Sequence, residues 1–196
     1  MFGGFASVGV PGRFCRAIVS AGIKDIHVIT NDSGNETADG IGTLICGHCV
    51  KELTASHIGM NPQAGIQLNS GEMKVNLIPQ GTLVERIRCG GAGLGGFLTA
   101  TGIGTLVEKD KTIIHVGDRD YLLELPLRAE LAVVKAWKAD TFGNLVYRGT
   151  GWNFNPVMAL AADFVIAEVD ELVGVGELDH DRIGTPGVCI DMVIQP

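Results

Sequence analysis

The 196 residues are 46% hydrophobic and 19% charged, which excludes disorder and leaves enough apolar chain for one α/β core. A formal net charge of -7 argues against a broad nucleic-acid surface, though a local cationic cluster could still draw an anion. There is no basic leader followed by an apolar stretch and no run of 18 apolar residues, so neither a signal peptide nor a membrane span is predicted. The five cysteines are Cys15, Cys46, Cys49, Cys89 and Cys189, and this scattered odd set predicts free thiols in a cytoplasmic protein.

In chain order, Phe2-Gly3-Gly4-Phe5 reads as the end of a buried strand and 3–11 as a glycine-rich turn. Residues 12–21 place Phe14, Ala17, Ile18 and Ala21 at helical spacing, closed by Gly22. A buried strand over 25–31 precedes a loop over 32–42. The pattern then predicts a helix over 43–50, a short strand over 51–56, a strand over 72–78 and a helix over 82–89. Residues 111–116 and 120–125 read as two strands around Gly117-Asp118. A buried strand over 131–137, a turn over 140–144, a helix over 156–162 capped by Asn155, and a strand over 164–169 complete the list. The predicted fold class is α/β over residues 1–196. It is an open, mostly parallel sheet with helices on both faces and a small antiparallel excursion near 111–125.

Several segments invite chemistry. The run 79–105 carries eight glycines in 27 residues, which predicts tight turns or close backbone approach. Gln80 stands at its mouth, after a strand and before a helix, where an amide can hold a carboxylate or thioester oxygen without adding charge. Glu85, Arg86 and Arg88 read as a solvated or intrachain salt-bridged helix face. The glycines of 3–11 suggest a dinucleotide loop, but the spacing is not GxGxxG and the next strand ends Thr30-Asn31 without a ribose-binding acid. Cys46-Gly47-His48-Cys49 has CxxC spacing, yet both cysteines are predicted inside a helix and two further zinc ligands are missing. Neither a metal nor a permanently bound cofactor is therefore expected. Asn31 and Asn153 could be ligand contacts or plain turn residues, whereas Asn155 before Pro156 reads as a cap. No nucleophile sits in a recognisable arrangement with a base.

The ordered set Gly3 to Pro11 (GGFxxxGxP), Asn31-Asp32, Asp39-Gly40, Ser56-His57-Ile58-Gly59, Gly71-Glu72, the run 79–105, Tyr121 to Pro126, Gly143-Asn144-Leu145, Asn153-Phe154-Asn155-Pro156 and Thr185-Pro186-Gly187 spans the chain. On these motifs the chain resembles the alpha subunit of the two-subunit class I coenzyme A transferases, most similar to the acetate/acetoacetate and butyrate–acetoacetate type. The resemblance implies the fold shared with phosphosugar isomerases and a coenzyme A thioester as substrate. It also implies a beta subunit that carries the attacking glutamate, in an alpha2-beta2 or higher assembly. It makes Gln80 the residue that meets the carboxyl or thioester group, with Gly3, Gly4, Phe5, Asn31, Gly81, Gly93 and Asn153 as substrate contacts. Three departures from the family pattern are expected to matter. They are a missing helix and strand start of about twenty residues before Gly3, Ala100 in place of a proline, and Gly151-Trp152 in place of Ala-Arg. A non-catalytic complex-forming homologue and a phosphosugar isomerase of the same broad fold stay open as alternatives at this point.

Overall fold

The computed structural model describes residues 1–36 and 39–195. The chain runs α1 (Gly12–Ser20), β1 (Ile26–Ile29), α2 (Ile41–Cys46), β2 (Val50–Ala55), α3 (Pro62–Ser70), β3 (Lys74–Leu77) and α4 (Gln80–Gly91). It continues through β4 (Phe97–Thr99), β5 (Ile113–Val116), β6 (Arg119–Glu124), β7 (Ala129–Asp140), β8 (Leu145–Val146), α5 (Asn155–Ala159), β9 (Ala162–Val173) and β10 (Met192–Ile194).

Two parallel groups form the centre. One has the order β1-β2-β3; the other is β10-β9-β7-β8, in which only β8 runs antiparallel. Residues 1–3 join them. The Phe2 amide donates to the Ile29 carbonyl on one side, while the Gly3 amide and the Met1 carbonyl bond Val133 on the other. The backbone groups of β1 and β7 that face one another thus find partners through this short connecting strand.

Both sheet faces are covered, which explains why the central strands read as apolar runs rather than alternating ones. Ala132, Val134 and Ala136 of β7 and Val165, Ala167 and Val169 of β9 face a core closed by Leu83 and Ile87 of α4 and Met158 of α5. Val133 and Ile166 point the other way, into a second core with Cys15 and Ile18 of α1, Leu44 and Ile45 of α2 and Ala64 of α3. The predicted excursion is a three-stranded antiparallel sheet, β4-β6-β5, with Gly117 at φ 60° in its tight turn.

Several boundaries differ from the sequence expectation. The helix predicted over 43–50 stops at Cys46. Gly47 caps it, His48 turns left-handed at φ 52°, and the Cys49 carbonyl accepts from the Ile26 amide as the chain enters β2. Cys46 therefore ends α2 while Cys49 lies in the link before β2, and His48 pairs with Glu72 at 2.5 Å. The helix predicted over 156–162 ends at Ala159, because Ala162 already pairs with Ala129 in the parallel ladder. Helix α3 was not predicted, although its signals are ordinary. The Asn61 side chain accepts from the Gln63 amide, Pro62 opens the helix and Gly71 closes it at φ 77°. The buried face of α3 uses Gln67, so the apolar period is broken. The predicted loop 32–42 is described except for residues 37 and 38, which lie outside the described residues.

The thiols divide by burial. Cys15, Cys49 and Cys89 are buried, whereas Cys46 and Cys189 are half-buried. Burial, then the nearby charges of Glu168 and Asp39, pushes the Cys15 thiol from 9.0 up to about 12. A thiol reagent at neutral pH is expected to label Cys46 and Cys189 well before Cys15, read by peptide mass. Equal labelling rates would reject this packing. Because the folded form holds the Cys15 proton more tightly, this thiol leaves stability unchanged below pH 9 and lowers it progressively between about pH 9 and 12.

Candidate functional site

Parallel strands end together, and open α/β sheets bind ligands beyond those carboxyl ends. Here the ends of the connecting strand 1–3, of β1, of β2 and of β3 deliver four segments: the loop 4–11, Asn31-Asp32, Ser56-His57, and Pro79-Gln80.

Gln80 is the first residue of α4, preceded by Pro79. The first-turn amides of this 12-residue helix lack intrahelical acceptors, so the helix presents its positive end here. The Gln80 side chain is exposed, and its Nε2 donates to Asn31 Oδ1 at 2.8 Å. A Cβ placed on Gly81 would meet open space, so the backbone at the start of α4 is approachable. Beside it, a cleft of about 430 Å³ is lined by Thr54, Asn76, Ile78, Pro79, Arg86 and Leu106. Arg86 does not belong to a simple solvated face. Its Nε donates to the Leu125 carbonyl at 2.8 Å and lies 3.9 Å from the buried carboxylate of Glu124, which also pairs with Lys111. Glu85 and Arg88 do form the expected exposed pair, at 2.8 Å.

Asn31 and Asp32 are almost fully buried, at 2% and 5% exposure, so their polar atoms must be paired within the protein. Asn31 Nδ2 donates to Asp32 Oδ2 at 2.6 Å, and the Ser56 hydroxyl donates to the Asn31 carbonyl at 2.7 Å. Asp32 also accepts from the amides of Ala6 at 2.7 Å and Gly34 at 2.8 Å. The pair thus ties the loop 4–11 to the end of β1 and to α4. Sequence reading marked Asn31 as a contact and overlooked Asp32 as the brace. The signal available was an adjacent amide and carboxylate at a strand end.

The glycine loop is built by steric demand. A Cβ on Gly3 would fall 1.8 Å from Asn155 Oδ1, and Gly4 sits at φ 116° where a Cβ would strike Val10. The tip folds into a tight turn through reciprocal Phe5 and Val8 bonds, leaving Phe5 46% exposed. The loop is clasped from below by two asparagines. Asn153 Nδ2 donates to the Val8 carbonyl at 3.0 Å. Asn155, fully buried, donates to the Gly9 carbonyl at 2.9 Å and accepts from the Lys135 amide at 2.9 Å. The expectation that Asn155 caps a helix is corrected: the helix cap is Phe154, with no side-chain bond, and the Asn155 amide spans the loop and β7 instead.

Asn155→Ala is expected to strand the buried Gly151 carbonyl, to which Asn155 also donates at 3.0 Å, and the half-buried Gly9 carbonyl and Lys135 amide, at a cost of about 2–4 kcal/mol, lowering Tm by roughly 5–15 °C. Calorimetry checks this, and an unchanged Tm would remove Asn155 from the framework.

Of the remaining glycines of the run 79–105, Gly90, Gly91, Gly96 and Gly102 serve packing within the chain, whereas a Cβ on Gly93, Gly95 or Gly104 would meet open space. A Cβ on Gly90 would meet the Leu127 carbonyl at 2.4 Å, and one on Gly91 would meet Leu160 at 2.8 Å. Gly93, expected as a substrate contact, lies past the far end of α4, about 18 Å from Gln80 along a helix of this length. The structure therefore brings Gly3, Gly4, Phe5, Asn31, Gln80 and Gly81 to one end of the sheet. It puts Asn153 beneath the loop and leaves Gly93 apart. Trp152, in the Gly151-Trp152 departure, packs on Tyr147 with ring centroids 5.2 Å apart and closes over Gly184.

The two buried carboxylates nearest the glycine loop are already engaged. Asp32 already accepts three hydrogen bonds. Glu168 of β9, facing the start of α1, accepts from the Phe14 amide and lies 3.5 Å from the Lys135 ammonium.

A family model described as coenzyme A transferase matches residues 1–196. The acetate CoA-transferase subunit alpha of Escherichia coli K12 is 52% identical over 194 residues, covering 99% of this chain and 88% of that one. The acetoacetyl-CoA:acetate/butyrate CoA transferase alpha subunit of Clostridium acetobutylicum is 48% identical over 195 residues, covering 100% of this chain and 89% of that one. Among solved structures, an acyl-CoA transferase from Escherichia coli O157:H7 superposes with a TM-score of 0.85 at 18% identity. That match covers 97% of this chain and 42% of that one, so the chain spans less than half of that structure. Glutaconate coenzyme A-transferase from Acidaminococcus fermentans gives a TM-score of 0.83 at 17% identity, covering 100% of this chain and 69% of that one. These structures agree in fold. Taken with the motifs and the site, the matches show that the chain belongs to the coenzyme A transferase family.

Proposed function

We propose that this chain is the alpha subunit of a coenzyme A transferase that exchanges coenzyme A among short-chain carboxylates of the acetate, acetoacetate and butyrate type. The observation that carries the reading is an exposed, anchored Gln80 amide at the open end of α4, beside buried Asp32 and Glu168, whose carboxylates are held by bonds within the chain. The near relatives named as acetate and acetoacetyl-CoA:acetate/butyrate transferase alpha subunits favour these acids.

In this reading a glutamate of a beta subunit attacks the thioester carbonyl carbon, and coenzyme A leaves as the thiolate. The resulting mixed anhydride is opened at the glutamyl carbonyl by that thiolate, which releases the first acid as its carboxylate. The acceptor carboxylate then reverses both steps. Gln80 donates to the carboxyl or thioester oxygen, and the start of α4 favours the charge that builds there. The loop from Gly3 to Phe5 forms the neighbouring wall. Gln80 is exposed, so the site needs a second surface to exclude water, which supports a beta subunit; the assembly in this reading is alpha2-beta2 or larger. No permanently bound cofactor takes part, and the assembly works in the cytoplasm.

Mixing the assembled enzyme with acetoacetyl-CoA, quenching and measuring intact masses tests the reading. The coenzyme A adduct is expected on the beta subunit, with the mass of this chain unchanged. An adduct on this chain would overturn it.

A further inference from the structure

An amide side chain has two ends of opposite character, and the direction in which Gln80 points decides whether it helps or opposes a developing negative charge. The structure contains a device that settles the direction. Asp32 is buried, and backbone amides donate to both of its oxygens, Ala6 to Oδ2 and Gly34 to Oδ1, so both act as acceptors here. The Asn31 atom 2.6 Å from Asp32 Oδ2 must therefore be the NH2 nitrogen. This forces Asn31 Oδ1 outward, where it lies 3.3 Å from Ser56 Oγ, whose proton goes chiefly to the Asn31 main-chain carbonyl, and accepts from Gln80 at 2.8 Å. The Gln80 atom at that contact must in turn be its nitrogen, because two amide oxygens would repel. One hydrogen of Nε2 is then committed to Asn31, and the other is left for the oxygen of a bound group.

We propose that Asp32 is a positioning residue for the transfer reaction, acting through Asn31 to hold the Gln80 amide with its N–H toward the substrate oxygen. The proposal rests on the reading of Gln80 given above. Asp32 is well placed for the task because its own position is fixed by the Ala6 and Gly34 amides, which makes the relay part of the same frame that shapes the glycine loop. Replacing the carboxylate by an amide removes the constraint. Asn31 could then turn over, present its NH2 to Gln80 and draw the Gln80 oxygen inward, which swaps the group facing the substrate.

The test is a double-mutant cycle in the assembled enzyme, using Asp32→Asn, Gln80→Ala and the pair. A residue acting only through Gln80 has nothing left to lose once Gln80 is gone. Asp32→Asn alone is expected to lower kcat about tenfold with KM within about twofold. In the Gln80→Ala background it is expected to lower kcat no further. Asn31→Ala, which leaves the Asp32 bonds to Ala6 and Gly34 in place, is expected to behave in the same way and carries the test if Asp32→Asn disturbs folding. Equal losses in both backgrounds would show a structural role and overturn the relay while leaving the role of Gln80 intact. An unchanged kcat for Gln80→Ala would overturn both.

Discussion

Purified without a second subunit, the chain is expected to transfer no measurable coenzyme A from acetoacetyl-CoA to acetate, and to gain full activity when a beta subunit is added. Acyl exchange through an anhydride needs a carboxylate oxygen that can approach a carbonyl carbon. At this end of the sheet Asp32 is spent on Ala6, Asn31 and Gly34, and Glu168 on Phe14 and Lys135. What the chain offers is a donor, Gln80, and a helix terminus. Donors without a nucleophile bind an acid and stabilise charge, but they do not break a thioester. Loss of a covalent nucleophile in a well-studied hydrolase lowers kcat by on the order of 10⁶, and a loss of that size would put the lone chain below detection. A spectrophotometric assay of acetoacetyl-CoA consumption, run with and without the partner, decides it. Transfer by the lone chain above the uncatalysed rate would place a nucleophile here and sink the subunit reading.

The parts of this picture that were legible in the sequence share a cause. Strands β7 and β9 were legible because burial on both faces demands continuous apolar residues, and the β5–β6 hairpin because its turn needs Gly117; β1 was read as buried, yet only Val28 of its four residues is. Gln80 was legible because a strand end, a proline and a helix start put it at the open end of the sheet. The framework beneath the site was not. Asn155 carried the local pattern of a cap, and only the approach of Gly3 and Gly9 from 146 residues or more away in sequence shows that its amide spans the loop and β7. Asp32 was passed over for the same reason, since its partner Ala6 lies 26 residues earlier. The glycines of 79–105 misled in the other direction. Their number suggested a ligand cradle, yet Gly90 and Gly91 are small because Leu127 and Leu160 press against α4. Local spacing reports turns and periods; it does not report which distant backbone a side chain will meet.

Gln80→Ala in the assembled enzyme is expected to lower kcat about 10²-fold, the scale seen when one preorganised donor to a developing oxyanion is removed, equivalent to about 2.7 kcal/mol of transition-state stabilisation. Assembly and stability are expected to change little. Gln80 is exposed, its side chain makes one hydrogen bond, and alanine is a good helix former at the first position of α4. The loss should fall mainly on kcat. The donor meets the oxygen of a neutral thioester weakly in the ground state and meets the charged oxygen strongly in the transition state. Gln80→Glu makes a sharper version of the same test. A glutamate cannot donate from that position, and its charge would oppose both Asn31 Oδ1 and the bound carboxylate, so it is expected to be slower than the alanine variant despite its closer shape. Steady-state kinetics beside a sizing run on both variants separates the alternatives. If the glutamate variant outperformed alanine, shape rather than donation would be the contribution of this residue, and the oxygen-facing role assigned to Gln80 would be wrong.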